Sequence, residues 1–247
     1  MDHNNIPSVV LLDLMNCQDF GVEYQPIVDT NTGHIHAYEA LARFHDRGGR
    51  PLAPDRVFRA FHDSPLSLFD LEYKVKRGQI RQAPPGVPVF LNIDLDAFAA
   101  FDHEEGNPLL ALFAGRDDLV VEIIENCSVA DARISQAMLR TFRDRGVPLA
   151  LDDVGARDTL VSFDVLAGVD YIKLARDWTQ RRHEADFAAL LRAICGFARH
   201  TGKRLIFEGV ETTEELDAAR LFGAHFVQGF LYRDRFVRHR PQLVEAA

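Results

Sequence analysis

The stretch Leu149-Ala150-Leu151-Asp152-Asp153-Val154-Gly155 runs from the apolar residues of a buried strand straight into two adjacent acids and a glycine. Side chains alternate faces along a strand. If Asp152 points inward, Asp153 must therefore come from the strand's end or from the turn behind it. Two carboxylates at one strand terminus repel each other unless a proton or a cation intervenes. A site for a hard metal ion is one meaning of the pair. A solvated turn in which an aspartate caps the next helix is the other. What decides between them is what the rest of the chain brings to the same place.

The chain has 247 residues, 47% of them hydrophobic, and a formal net charge of −9. That length suits one large domain or two small ones. The acidic balance argues against a nucleic-acid polymer as partner, since nonspecific binding needs a basic surface. Cys17, Cys127 and Cys195 show no CxxC or other metal spacing, so reduced thiols in a cytoplasmic protein are expected rather than a disulfide framework. The start, Met1-Asp2-His3-Asn4-Asn5, is not that of a secretion signal, and no apolar run nears the length needed to span a bilayer. No membrane partner is expected.

Working outward, strand and helix patterns alternate along nearly the whole chain. Residues 1–18 read as an N-terminal extension, in which Val9 to Leu14 is a short helix or a strand, and residues 19–247 as one domain. Val22 to Val28 reads as a strand, with Pro26 pointing to an edge or an irregular position. Only the turn Asp29-Thr30-Asn31-Thr32-Gly33 separates it from the strand Ile35 to Arg43, so the two form an antiparallel pair. Further strands are expected at Val87 to Ile93, Asp118 to Ile124, Tyr171 to Leu174, Arg204 to Val210 and Phe226 to Leu231. Helices are expected at about Thr159 to Ala167 and Arg182 to His200, and the tail from Arg233 is polar. Thr212 and Glu215 offer a capping box. Eight strands separated mainly by helices, in this length, predict a (β/α)8 barrel of the TIM type with an antiparallel first strand. A doubly wound open sheet is the alternative, but the Gly-rich first turn it would advertise is absent.

Polar residues recur at corresponding places in these strands: Glu39, Asn92, Glu122, Asp152 with Asp153, Lys173, Glu208 and Gln228. Each alone has an ordinary structural explanation, such as a helix cap, an ion pair or a snorkelling lysine. Their occurrence on successive strands does not, because parallel barrel strands bring their C-terminal ends to one face. Oxygen ligands without a histidine–cysteine cluster suit Mg²⁺ or Mn²⁺ over zinc. Asp152 is placed to bridge two ions, and Lys173 to orient a water or to stabilise developing charge.

These residues carry a resemblance to the EAL-domain phosphodiesterases that hydrolyse the bacterial second messenger cyclic di-GMP. It runs from about Gly21 to Phe236. Tyr24-Gln25-Pro26-Ile27-Val28-Asp29 resembles the family's opening strand, and Glu39-Ala40-Leu41 is the name motif, followed by Arg43. Phe90-Leu91-Asn92-Ile93, Glu122 with Glu125, Asp152-Asp153, Lys173, Glu208-Gly209-Val210-Glu211 and Gln228-Gly229-Phe230 complete the series in order. The resemblance implies two Mg²⁺ or Mn²⁺ ions, one held by Glu39, Asn92, Glu122 and Asp152, the other by Asp152, Asp153 and Glu208. It implies that Lys173 and Gln228 position the nucleophilic water, that Glu125 braces the loop after Asp153 with Glu211 as a further support, and that Gln25, Leu41 and Arg43 contact the ligand. An arginine suits that place, since its planar fork pairs with phosphate oxygens. The product would be linear pGpG, in signalling that governs biofilm and motility.

The chain also departs from the pattern. The family follows its paired aspartates with Phe-Gly-Thr-Gly-Tyr-Ser-Ser. Here the run is Val154-Gly155-Ala156-Arg157-Asp158-Thr159-Leu160, and Ala175 replaces an acid after Lys173. Family members pair through that loop, so a homodimer is a further expectation. No separate sensor or GGDEF domain fits in this length. Two functions follow. The complete ligand set points to an active phosphodiesterase. The altered loop points to a cyclic di-GMP receptor or a module for a regulatory protein partner.

Overall fold

The computed structural model describes residues 6–17, 20–101, 106–124, 129–157 and 160–240. Its strands are β1 (Gly21–Asp29), β2 (Ile35–His45), β3 (Pro51–Leu52), β4 (Val89–Asn92), β5 (Leu119–Ile124), β6 (Leu149–Val154), β7 (Tyr171–Leu174), β8 (Arg204–Phe207), β9 (Phe226–Val227) and β10 (Val237–His239). The helices are α1 (Ser8–Asn16), α2 (Pro54–Phe61), α3 (Pro65–Arg81), α4 (Leu95–Ala99), α5 (Pro108–Ala111), α6 (Val129–Arg143), α7 (Phe163–Gly168), α8 (Trp178–Arg181), α9 (Ala185–Thr201) and α10 (Thr213–Phe222). From β2 through β4 to β9 each barrel strand pairs in parallel with the next. β1 closes the ring, antiparallel to both β2 and β9. The result is a closed eight-stranded α/β barrel with a reversed first strand, which excludes the open sheet.

The barrel's interior follows from alternation. Ile27, Ala37, Phe90, Val120, Ala150, Ile206 and Phe226 form an apolar plug with Tyr171 packed on it. The opposite faces of the strands meet the helices in the main core, where Leu91, Val121, Leu151, Ile172 and Leu205 pack with Met138, Phe142 and Leu191. A separate cluster joins Ala42 and Phe44, on the outer face of β2, to Ile6 and Leu14 around α1 and to Leu68 and Leu71 of α3. The segment Val9 to Leu14 is thus helical, packed at the same place as α2 and α3.

Local rules account for the element ends. Thr212 and Glu215 make the expected capping box on α10, and Gly202 and Gly223 end α9 and α10 in the left-handed conformation. Several boundaries differ from the sequence expectation. Of the two places expected for Pro26, the irregular one holds and the edge does not: β1 has neighbours on both sides, and its register with β2 shifts just beyond the proline, between Ile27 and Val28. β10 covers residues 22–24 and β9 covers 28–29, so the proline lies in the gap between them, where no ladder N–H is required. The helix expected from Arg182 starts at Ala185, because Trp178, 1% exposed, is tied by its indole to the Glu208 carbonyl and Arg181 stacks on Phe187, fixing a separate turn as α8. α7 starts at Phe163, capped by Ser162, rather than near Thr159, which lies outside the described residues. β8 stops at Phe207, so Glu208 follows the strand instead of lying within it. The polar tail contains β10, antiparallel to β1. Expectations at Glu125, Cys127, Ser128, Asp158 and Thr159 also fall outside the described residues.

Candidate active site

Two residues beyond the apolar plug on each strand, the interior turns polar. Phe90 is followed by Asn92, Val120 by Glu122, Ala150 by Asp152, Tyr171 by Lys173, Ile206 by Glu208 and Phe226 by Gln228, while Ala37 leads to Glu39. β1 runs the other way, so Ile27 leads back to Gln25, directly opposite Glu39. A period of two on every strand thus makes one polar tier at the barrel mouth.

Asp153 enters this tier by breaking the period. It has φ 56°, the sole positive φ outside glycine among the described residues, and the β6–β7 register shifts between Leu151 and Val154. The irregularity lets adjacent aspartates converge, at the cost of a conformation that L-residues disfavour.

Within the tier, Asn92 Nδ2 donates to Glu39 Oε1 at 2.9 Å and to Glu122 Oε2 at 2.8 Å, and Gln228 Nε2 donates to Glu39 Oε2 at 2.5 Å. Lys173, fully buried, sets its Nζ 2.6 Å from Glu122, 2.9 Å from Asp152, 2.8 Å from Glu208 and 3.4 Å from Glu39. Five carboxylates, with Asp153, face this one ammonium.

The electrostatics show the imbalance. Burial pushes Glu122 well above the ordinary carboxylate range, and the Glu39 charge adds to it. Burial likewise raises Glu208 well above that range. Asp153 is pushed up to about 6, by burial first and then by the Asp152 charge. For Glu39, burial is outweighed by the Lys173 ammonium and by hydrogen bonds from Gln228 and Asn92, so it is held low. Burial would lower Lys173, but the charges of Asp152, Glu122, Glu208 and Glu39 hold it well above its ordinary value.

These residues fit a pair of hard cations. Glu39, Glu122 and Asp152 can each offer an oxygen to one ion, and Asp152, Asp153 and Glu208 to another. Within each set the oxygens lie within 4.8 Å of one another, and Asp152 is shared. Glu122 Oε1, Asp152 Oδ1 and Gln228 Oε1 are buried acceptors without a hydrogen-bond partner. The lysine nitrogen meets the first two at ion-pair distance without hydrogen-bond angles. An all-oxygen donor set of this kind suits Mg²⁺ or Mn²⁺.

Above the tier lies a cleft of about 320 Å³, lined by Gln25, Glu39, Asp152, Asp153, Arg176, Glu208, Gly209, Glu211, Gln228, Gly229 and Phe230. Glu211 sits at its rim and pairs with Arg176 at 2.8 Å. Leu41 and Arg43 share the Glu39 face of β2 but stand further out, beyond the residues that line the cleft. Glu125 lies outside the described residues. The sequence reading had given no site role to Glu23, Arg176 or Arg238, and had quoted Phe230 only as the end of a motif. For Phe230 the signal was its place directly after Gln228-Gly229. For Glu23 it was alternation with Gln25.

Comparison with known proteins places the whole barrel in a family. A family model described as the EAL domain matches residues 10–234. The chain is 25% identical over 239 residues to the cyclic di-GMP phosphodiesterase PdeL of Escherichia coli, covering 93% of this chain and 66% of that one. It is 27% identical over 247 residues to the probable cyclic di-GMP phosphodiesterase PdeN of the same organism, covering 94% and 47%. It thus spans from about half to two thirds of the length of these relatives. Among solved structures, an EAL domain protein from Listeria monocytogenes superposes with a TM-score of 0.72 at 23% identity, over 94% of this chain and 93% of that one. The EAL domain of FimX from Pseudomonas aeruginosa, bound to c-di-GMP, gives 0.71 at 18%, over 90% and 93%. At these identities the two structures speak for the fold.

Proposed function

The chain belongs to the EAL domain family, and from that premise we propose that it hydrolyses cyclic di-GMP to linear pGpG with two Mg²⁺ or Mn²⁺ ions. The observation that carries this reading is the pair of overlapping carboxylate sets sharing Asp152, whose buried oxygens meet a single lysine at ion-pair distance and accept no well-directed hydrogen bond at Glu122 Oε1 and Asp152 Oδ1. Glu39, Asn92, Glu122 and Asp152 would hold one ion, and Asp152, Asp153 and Glu208 the other. Bound there, the ions would neutralise phosphoryl charge and lower the pKa of a water.

The protein's own groups do the rest. Gln228 and Asn92 fix both oxygens of Glu39, so its orientation does not depend on the ligand. Lys173 places a fixed positive charge under the reacting phosphate and offsets the mutual repulsion of four carboxylates in the unloaded state. Arg176 and Glu211, locked together at the rim, shape the cleft's entrance, with Glu211 supporting that loop. Gln25, Leu41 and Arg43 would receive the ligand. The named cyclic di-GMP phosphodiesterases among the relatives support this substrate.

A second reading is a catalytically weak receptor or interaction module. Ala175, buried at 5% exposure, favours it, because an acid near the site is missing there. No helix of the described residues is long and apolar enough to cross a membrane. Cys195 is a free, buried thiol, and a cytoplasmic location is part of the proposal. So is the homodimer.

The test is turnover of cyclic di-GMP by the purified chain in Mn²⁺ beside Asp152→Asn. pGpG from the parent chain alone supports the enzyme. No product, with tight binding in Ca²⁺, supports the receptor. Neither product nor binding overturns the enzyme and the receptor and leaves the interaction module, with a protein partner as the thing to look for.

A further inference from the structure

Glu23 is buried at 7% exposure, and the chemistry above makes no use of it. Three donors converge on its carboxylate. Arg43 Nη2 reaches Oε1 at 2.7 Å, Gln25 Nε2 reaches the same oxygen at 3.0 Å, and Arg238 Nε reaches Oε2 at 2.5 Å. Burial alone would raise the acid's pKa. The hydrogen bonds from Gln25, Arg238 and Arg43 outweigh burial and keep it low.

Strand register explains the convergence. Glu23 lies directly opposite Leu41 of β2 and directly opposite Arg238 of β10. Directly opposed residues project from the same face of a sheet. The face that carries Gln25 and Glu39 at the mouth therefore continues outward to Glu23, Leu41 and Arg238, and then to Arg43. At about 3.4 Å per residue, the Glu23 level stands roughly 7 Å beyond the Gln25 level.

One carboxylate against two guanidiniums leaves one positive charge on this wall, above a mouth where five acids gather. Arg238 is still available to a ligand. Its side chain is 57% exposed, and it spends only Nε on Glu23, leaving both terminal nitrogens without a partner among the described residues. Arg43, at 35%, keeps less of its fork, since Nη1 donates to the Ala42 carbonyl. Without Glu23, two long cationic side chains beside an acidic mouth would swing toward the metal carboxylates. With it, they are pinned one tier higher.

We propose that Arg238 is a second ligand-contacting guanidinium, aligned beside Arg43 by Glu23, and that it receives the phosphodiester that is not being cleaved. A cyclic dinucleotide carries two phosphodiesters. With one over the carboxylate sets, the other has to be met elsewhere on the mouth, and this wall offers the fork geometry that suits it. Glu23 is then a positioning residue. The inference rests on the cyclic di-GMP reading of the cleft.

The experiment compares the parent chain with Arg238→Met, Arg238→Lys and Glu23→Gln, by cyclic di-GMP titration in Ca²⁺ and by steady-state kinetics in Mn²⁺. Methionine keeps the apolar stem on β10, and thermal unfolding checks that each variant is folded. Arg238→Met is expected to raise Kd and KM about tenfold while kcat moves less than about twofold, because the contact is made equally in ground and transition states. Arg238→Lys should fall between, keeping the charge and losing the fork. Glu23→Gln should weaken binding a few-fold by releasing both arginines. Unchanged Kd and KM in folded Arg238→Met, or tighter binding by Glu23→Gln, overturns the inference alone. A parent chain that neither binds nor hydrolyses cyclic di-GMP overturns the functional reading together with it.

Discussion

On the proposed function, Asp153 is a residue that trades stability for a place among the metal-binding carboxylates. Its left-handed backbone is what brings a second aspartate to the mouth beside Asp152. A non-glycine residue there costs roughly 1–2 kcal/mol. Asp153→Gly removes both that cost and a carboxylate whose pKa is pushed up to about 6. The metal-free protein should therefore be more stable by about 1 kcal/mol while losing turnover, and a denaturant melt paired with an activity assay checks both. Gln228 gives the opposite case. It fixes one oxygen of Glu39, so Gln228→Ala should weaken Mn²⁺ affinity about 10–100-fold, the usual loss for an outer partner of a metal ligand. A metal titration followed by calorimetry measures it, and an unchanged affinity would remove Gln228 from the site.

At the scale of elements, the polar tier was legible because each of its members stands two residues from an apolar plug residue on the same strand. Period two survives translation into structure when both faces of a strand are buried. The convergence of Asp152 and Asp153 was legible as a problem, though its solution, a positive φ with a shifted register, depends on β7. The pieces that escaped are short or held from a distance. β10 has three residues, Val237-Arg238-His239, and no period can be read from three. The break between α8 and α9 follows from Trp178 reaching the Glu208 carbonyl, a contact between residues thirty apart. Gly229 is another case. A Cβ there would lie 2.2 Å from the Val210 carbonyl oxygen, so β9 and the loop after β8 can touch only through a bare backbone. Gly229→Ala should cost about 1–3 kcal/mol as overpacking and should pull the Gln228 amide away from Glu39. Thermal unfolding and the same Mn²⁺ titration would report the two effects separately.

For the whole molecule, the crowded mouth makes stability depend on pH and metal together. Glu122, Glu208 and Asp153 have folded pKa values above their unfolded ones. Acids raised in this way stabilise the fold when protonated, and that contribution is lost as pH rises through the folded pKa. For Asp153 the window runs from about 4 to about 6, and for the other two it extends higher. Glu39, held low, changes stability only below the ordinary carboxylate pKa, outside this window. The metal-free chain should thus lose stability from pH 5 to pH 8. Mn²⁺ should raise the melting temperature more at pH 8 than at pH 5, since its ligands must give up their protons. Melts in chelator and in Mn²⁺ across this range would show it, and a metal shift independent of pH would contradict it. The reversed first strand carries a last consequence, one of tethering. Because β1 runs against its neighbours, Gly21 stands on the mouth side of the barrel, and β10, antiparallel to β1, carries the chain back to that side by His239. Anything covalently attached ahead of β1 or behind β10 would begin its path at the rim rather than at the far end of the barrel. A short leash from either side would hold its cargo at high effective concentration over the cleft.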